Sequence, residues 1–187
     1  MIDDTELSEC VLQIDTREKS QSRIKRITDF WVSKGGMVEL VALPLGDYLI
    51  SGSFRDKEID LLLEFKTIAD FAGSYEDLPR KLFDAGKNHR YVALFIEEGD
   101  LALSFTPNGT FIKNPAVKDG SADVLNYYSY KNFLDTLSQD GIHCRVFRYE
   151  SFFEEDVYSL IIHLTKDCHS GLHIKGKDYP TQFINML

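Results

Sequence analysis

Several things are scarce in this sequence, and each scarcity excludes a class of protein. Cysteine occurs three times, as Cys10, Cys144 and Cys168, with no Cys-x-x-Cys pair. An odd count without paired spacing argues against a disulfide scaffold and for a reducing compartment. No purely apolar run exceeds about the five residues 92–96, whereas a membrane helix needs ~20. The first residues are acidic, where a secretory leader would be basic and then apolar. Basic charge is also short: 21 Lys and Arg against 30 Asp and Glu leave a net charge of −9. That excludes a passive nucleic-acid coat, whose affinity comes from neutralising phosphates. It does not exclude an enzyme with one local basic strip. With five prolines, no Pro/Gly-rich linker divides the chain, and no repeat or low-complexity tract is present. The expectation is a soluble intracellular protein, cytoplasmic in a prokaryotic or viral setting and nuclear in a eukaryote.

What remains is an ordinary globular composition, 43% hydrophobic and 27% charged in 187 residues, enough for one sizeable core. Residues 11–15 read as a buried strand. Ile24, Ile27, Phe30 and Trp31 recur at helical spacing over residues 21–34, and Gly35-Gly36 ends that helix. Residues 37–43 form a second strand. Residues 47–52 and 60–66 are apolar runs separated by a polar stretch, a hairpin with a longish loop. Helices are expected over 67–75 and 77–88, then a buried strand over 90–98. Residues 101–105 and 110–113 flank Pro107-Asn108-Gly109 as a surface hairpin. A helix over 121–139, a strand over 142–149 and a helix opened by the Ser151/Glu154 capping box and running to Cys168 complete the pattern. Alternating strands and helices predict an α/β fold with a central mixed sheet flanked by helices.

The chemistry concentrates at Asp47, Glu64 and Lys66. A hairpin centred on Asp56 sets Asp47 opposite Phe65, beside Glu64 and Lys66. Alternation then turns Leu61, Leu63 and Phe65 to one face and Leu62, Glu64 and Lys66 to the other. Two carboxylates and an ammonium converge at one strand end, where charge is costly unless paired or liganded. Such a pair can hold Mg²⁺, which keeps several waters and takes few protein ligands. The alternative is a surface hairpin ending in an ordinary Glu/Lys pair. The basic strip is Arg17, Lys19, Arg23, Lys25, Arg26 and Lys34, a local +4 after Glu18 and Asp29.

The strings Ile14-Asp15-Thr16-Arg17-Glu18, Gly46-Asp47-Tyr48 and Glu64-Phe65-Lys66 with Asp70 resemble the XPF-family (ERCC4-type) nuclease domain. That family belongs to the restriction-endonuclease-like PD-(D/E)xK superfamily. Arg80 falls near the family's arginine, and the resemblance spans roughly residues 10–170, between tails at 1–9 and 171–187. It implies a metal-dependent endonuclease acting on flap, fork or branched DNA in repair or recombination. Asp47, Glu64 and Asp15 would bind Mg²⁺, with Mn²⁺ as substitute, and Lys66 would position water or phosphate. Glu18 and Asp70 would support these or hold a second ion. Arg17, Arg80, Arg23 and Arg26 would meet the DNA. Two departures are visible: Phe65 replaces the family arginine, and nothing after Cys168 resembles a helix-hairpin-helix module. A homodimer, or a heterodimer with a helix-hairpin-helix protein, would supply the missing grip. The contrasting function is a catalytically weak or inactive scaffold, and RNA or simple duplex ends are a third possibility.

Bland readings stand beside these. Asp70 fits a helix surface, Arg17 and Glu18 a local ion pair, and Asp15 a strand-end turn. His163, Cys168, His169 and His173 match no standard zinc spacing. His89 fits a loop residue better than a general base. Tyr127, Tyr128 and Tyr130 fit core or contact positions better than base stacking, and Cys144 a small apolar filler.

Overall fold

A computed structural model describes residues 6–99, 101, 103–107, 109–113, 123–147 and 153–166. The main sheet has six strands: β1 (Cys10–Asp15), β2 (Met37–Val41), β3 (Tyr48–Phe54), β4 (Lys57–Thr67), β5 (Tyr91–Glu97) and a last strand, His143–Phe147. Their spatial order is β2-β1-β3-β4-β5 and then the last strand. β1 pairs parallel to β2 and antiparallel to β3, β3 antiparallel to β4, and β4 parallel to β5. The sheet is therefore mixed, as expected.

Alternation along β4 builds two cores on opposite faces. Leu61, Leu63 and Phe65 join Ile27 and Trp31 of α1 (Gln21–Ser33). Leu62 joins Val92, Leu94 and Ile96 beneath Ile68 and Phe71 of α2 (Ile68–Ser74) and Leu82 of α3 (Leu78–Gly86). Between β5 and the last strand lies a small antiparallel sheet: β6 (Leu103–Thr106), β7 (Gly109–Lys113) and β8 (Asp123–Asn126). It leads into α4 (Tyr127–Gln139), after which His143–Phe147 is β9 and Phe153–Thr165 is α5. Phe153, Val157, Leu160 and Ile161 of α5 close the first core, and Tyr130, Phe133, Leu134 and Leu137 of α4 the second. No helix among the described residues is long and apolar enough to cross a membrane.

Four expectations need correction. The β3–β4 connection is a two-residue turn, with Phe54 paired to Lys57 and positive φ at both Arg55 and Asp56. That mirror-image turn matches strand twist, so the polar residues 53 and 57–58 are strand and not loop. The helix expected from residue 121 begins at Tyr127. Residues 123–126 pair with β7 instead, and the Asn126 side chain accepts from the Tyr128 and Ser129 N–H groups to start α4. The β2 strand ends at Val41 rather than 43. Leu7, assigned to a tail, is fully buried in the first core. Ser151, the 148–150 strand end, Cys168, His169, His173 and the tail from 171 lie outside the described residues.

Candidate active site

The paired register of β3 ends at Tyr48, opposite Leu63, and Asp47 lies just before it. The Asp47 N–H donates to the Leu63 carbonyl at 2.9 Å, and the Asp47 carbonyl accepts from the Asp15 N–H at 2.9 Å. This one residue therefore stitches β1 to β4 at the strand ends. Its carboxylate accepts from the Phe65 N–H at 2.7 Å, which fixes its direction. Burial, and then the neighbouring Glu64 charge, push the Asp47 carboxyl up to about 6.

Gly46 makes that approach possible. It sits at φ +73°, and a Cβ there would come within 2.9 Å of the Leu62 side chain and 3.1 Å of the Leu63 carbonyl oxygen. Gly46→Ala should cost roughly 1–3 kcal/mol through left-handed strain and crowding. Chemical denaturation checks this, and the Asp47 backbone bonds should loosen in hydrogen exchange.

Glu64 and Lys66 form an ion pair on the same face, each largely buried. Burial pulls the Lys66 ammonium down, but Glu64 and Asp47 outweigh it and hold it above its usual value. Lys66 thus stands as a cation between the carboxylates of Glu64 and Asp47.

Asp15 ends β1 with 1% of its surface exposed. The Arg17 backbone N–H and guanidinium donate to its carboxylate, the guanidinium approaching to 2.5 Å, and a second bond from Arg17 reaches the Leu43 carbonyl at 2.6 Å. This hydrogen bonding holds the Asp15 carboxyl below the usual carboxylate range. Asp15 is thus engaged, and among the described residues no three His, Cys, Asp or Glu side chains are placed to hold a metal. Of the three carboxylates expected from sequence, Asp47 and Glu64 line the same cleft, and Asp15 is held by Arg17 at its edge. Arg17 itself keeps 70% of its side chain exposed.

Glu18 and Arg23 are drawn inward. The Glu18 carboxylate accepts from the Ser20 N–H at 2.8 Å and from Arg23 Nη2 at 2.9 Å, and the Tyr48 hydroxyl donates to it at 3.0 Å. Burial raises the Glu18 carboxyl, but these bonds outweigh it and hold it below its usual value. Arg23 Nε donates to the Tyr48 hydroxyl, and its guanidinium lies 3.5 Å from the centroid of the Phe65 ring. Arg23, expected at phosphate, is buried with its charge taken by Glu18. Arg26 bridges to Glu154 of α5 at 3.3 Å and lines neither cleft of the site.

Those two clefts meet at Arg17 and Asp47. The first, of about 380 Å³, lies against α3 and is lined by Leu45, Leu62, Glu64, Lys81 and Leu82 among others. The second, of about 530 Å³, holds Glu18, Lys19, Lys66, Asp70 and Glu97. Arg80 turns away, paired with Asp77 at 3.3 Å, and Lys81 one residue on faces the first cleft. Asp70 accepts from the Thr67 hydroxyl at 2.7 Å, and its N–H donates back to that hydroxyl, by which Thr67 caps α2 beside Lys66. Glu97 and Tyr48 were missed from sequence. Glu97 carries the same signal as Glu64, a carboxylate ending an apolar strand, and the register pairs it with Thr67. The Tyr48 hydroxyl had no signal, since only the fold brings it to Glu18.

The remaining candidates lie elsewhere. His89 bonds Asp60 at 2.8 Å, at the far end of β5. Tyr130 is buried, its hydroxyl donating to Glu98 at 2.8 Å, and Cys144 packs against the second core.

A family model described as the ERCC4 domain matches residues 14–151, about three quarters of the chain. The chain belongs to the ERCC4-domain family. This ERCC4 domain contains all the site residues above, from Asp15 to Glu97. Among solved structures, it is similar to XPF from Aeropyrum pernix, with 18% identity and a TM-score of 0.51 over 84% of this chain and 66% of that one. The DNA complex of the same protein matches at 18% identity and a TM-score of 0.51, over 83% and 65%. The chain therefore spans just under two thirds of the length of these structures. No curated protein sequence matches it. The ERCC4-domain family is one of DNA nucleases, and the solved structures show the same nuclease fold.

Proposed function

We propose that this ERCC4 domain is a divalent-metal-dependent endonuclease that hydrolyses phosphodiester bonds in branched DNA. The observation that carries this is that Asp47, just before β3, and Glu64 of β4 line one cleft, with Lys66 paired to Glu64. Burial first, and then the neighbouring Glu64 charge, raise the Asp47 carboxyl to about 6, a cost that a bound cation would relieve. Mg²⁺ fits the donor set, because it takes one or two carboxylates and keeps its waters. Asp47 and Glu64 would hold it, and when bound it would activate water and stabilise charge on the scissile phosphate.

The chain's own groups do the rest. The Phe65 N–H aims the Asp47 carboxylate, and Lys66 presents a protonated ammonium to the developing phosphate charge. Arg17 stands where both clefts meet, and with its Nε and Nη2 held by Asp15 and the Leu43 carbonyl it has Nη1 left to meet a phosphate. That the Aeropyrum pernix protein was solved with DNA supports DNA as the substrate. The test is incubation with labelled flap, fork, four-way junction, duplex and single-stranded DNA, and with RNA, in Mg²⁺, Mn²⁺ or EDTA. Cleavage of branched DNA in Mg²⁺ or Mn²⁺, but not in EDTA, is the expected result.

One observation favours the second reading, a weak or inactive scaffold. Asp15 is held by Arg17 and Glu64 by Lys66, so each expected ligand beyond Asp47 already has a cation. No cleavage of any substrate in Mn²⁺ would select it.

Affinity should be low. Arg17, Lys19 and Lys81 are the cleft cations that face outward, so log K should fall with log[salt] at a slope of about −2 to −3. Fluorescence anisotropy between about 50 and 200 mM salt checks it. A partner protein or second copy would supply the remaining grip, and sedimentation with DNA present tests that.

A further inference from the structure

The two clefts differ in chemistry. The larger presents Glu18, Lys19, Lys66, Thr67 and Asp70, charged and polar groups suited to a sugar–phosphate backbone. The smaller is mainly apolar: Leu62, Leu82 and Ala85 are buried side chains at its base, and Leu45 and Pro44 form its wall. A backbone has no use for such a wall, but the face of a base does. At this cleft lies the Lys81 ammonium, which has no ion-pair partner among the described residues. Asp47 and Glu64 stand on the same rim. At about 380 Å³, the cleft falls at the small end of ligand pockets.

An apolar wall and one unpaired ammonium together match a single nucleotide, its base on the wall and its phosphate on the ammonium. In duplex DNA the base faces are stacked and cannot reach the wall, so entry demands unstacking, which costs least for an already unpaired base.

Building on the nuclease reading, we propose that the α3-side cleft receives one unpaired nucleotide beside the phosphodiester to be cut. Its base lies against Leu45, Leu62 and Leu82, and its phosphate meets Lys81. The pocket makes the site selective for branched DNA without any sequence readout.

The test is done in EDTA, so binding is read without cleavage. Wild-type chain should bind a fork about tenfold more tightly than a duplex of equal length, a difference of ~1.4 kcal/mol. 2-Aminopurine placed in the unpaired arm beside the branch should change its fluorescence on binding. Leu45→Trp, which fills the cleft from its partly exposed wall, and Lys81→Gln should each bring the fork-to-duplex ratio close to one. Lys19→Gln, in the other cleft, should weaken both DNAs alike. If circular dichroism shows Leu45→Trp unfolded, the exposed Lys81→Gln carries the test. Equal wild-type binding, silent 2-aminopurine, or a ratio unchanged in the folded variants overturns the pocket. Cleavage in Mg²⁺ is scored separately. A chain that cuts but binds fork and duplex equally loses the pocket and keeps the nuclease reading. One that shows the preference and never cuts keeps the pocket and loses that reading.

Discussion

Asp47→Asn and Glu64→Gln should each abolish cleavage, by at least about a thousandfold, because several kcal/mol of metal-borne charge stabilisation goes with the ligand. Neither should unfold the chain, and Asp47→Asn should stabilise it without metal. The sign follows from the protons. The Asp47 carboxyl ionises near 3.8 in the unfolded chain and is raised to about 6 in the fold. Between those values the folded state holds a proton that the unfolded state has released. Stability therefore falls as pH rises from about 4 to 6 and stays lower above it. After discounting for partial exposure, the effect is on the order of 1–2 kcal/mol. Asn cannot ionise, so the variant should lose this pH slope. Mg²⁺ should raise the wild-type Tm at pH 7 by mass action and leave Asp47→Asn unmoved. Thermal melts across pH, with and without Mg²⁺, read all of this. Near-native cleavage by either variant in saturating Mg²⁺ would remove Asp47 and Glu64 from the site.

The second large effect concerns Phe65. Its ring is 6% exposed, covered by the Arg23 guanidinium at 3.5 Å and edged by Phe147 and Phe153 at 5.8 and 5.4 Å. Phe65→Ala should cost ~3–5 kcal/mol by opening a cavity in the first core. Phe65→Arg should also destabilise, because a second guanidinium would meet Arg23 in a buried place already neutralised by Glu18. A double variant, Phe65→Arg with Arg23→Ala, should recover part of that loss, since the new cation can take Glu18. Urea titrations measure the set. Unchanged midpoints for both single variants would show the ring to be dispensable. Phe65 and Arg23 are thus matched: the aromatic supplies a platform for the cation that α1 brings over it.

How much of this was legible in advance depended on the range of the interaction. That Glu64 and Lys66 share a face near the end of β4 and that Phe65 turns inward were readable, because strand alternation is local and an apolar run ending in charge is conspicuous. Asp15 came forward only through the family resemblance. The mixed α/β sheet was readable for the same reason. The register was not, since it hung on a turn: Arg55 and Asp56 both take positive φ, a geometry for which Gly and Asn are the usual signals. The strand at residues 123–126 was hidden because its pairing partner, β7, not its own periodicity, makes it a strand.

Charge pairing was the least legible of all. Six cations in one basic strip read alike in sequence. Only packing showed that Arg23 is buried on Glu18 and Tyr48, that Arg26 ties α1 to α5, and that Arg17 locks Asp15. A one-residue step of about 100° around α3 turned Arg80 to solvent and Lys81 to the cleft. Local patterning thus determined which residues could carry the chemistry. Burial and long-range pairing, which no window of sequence contains, decided which of their charges are still available to a metal or to DNA.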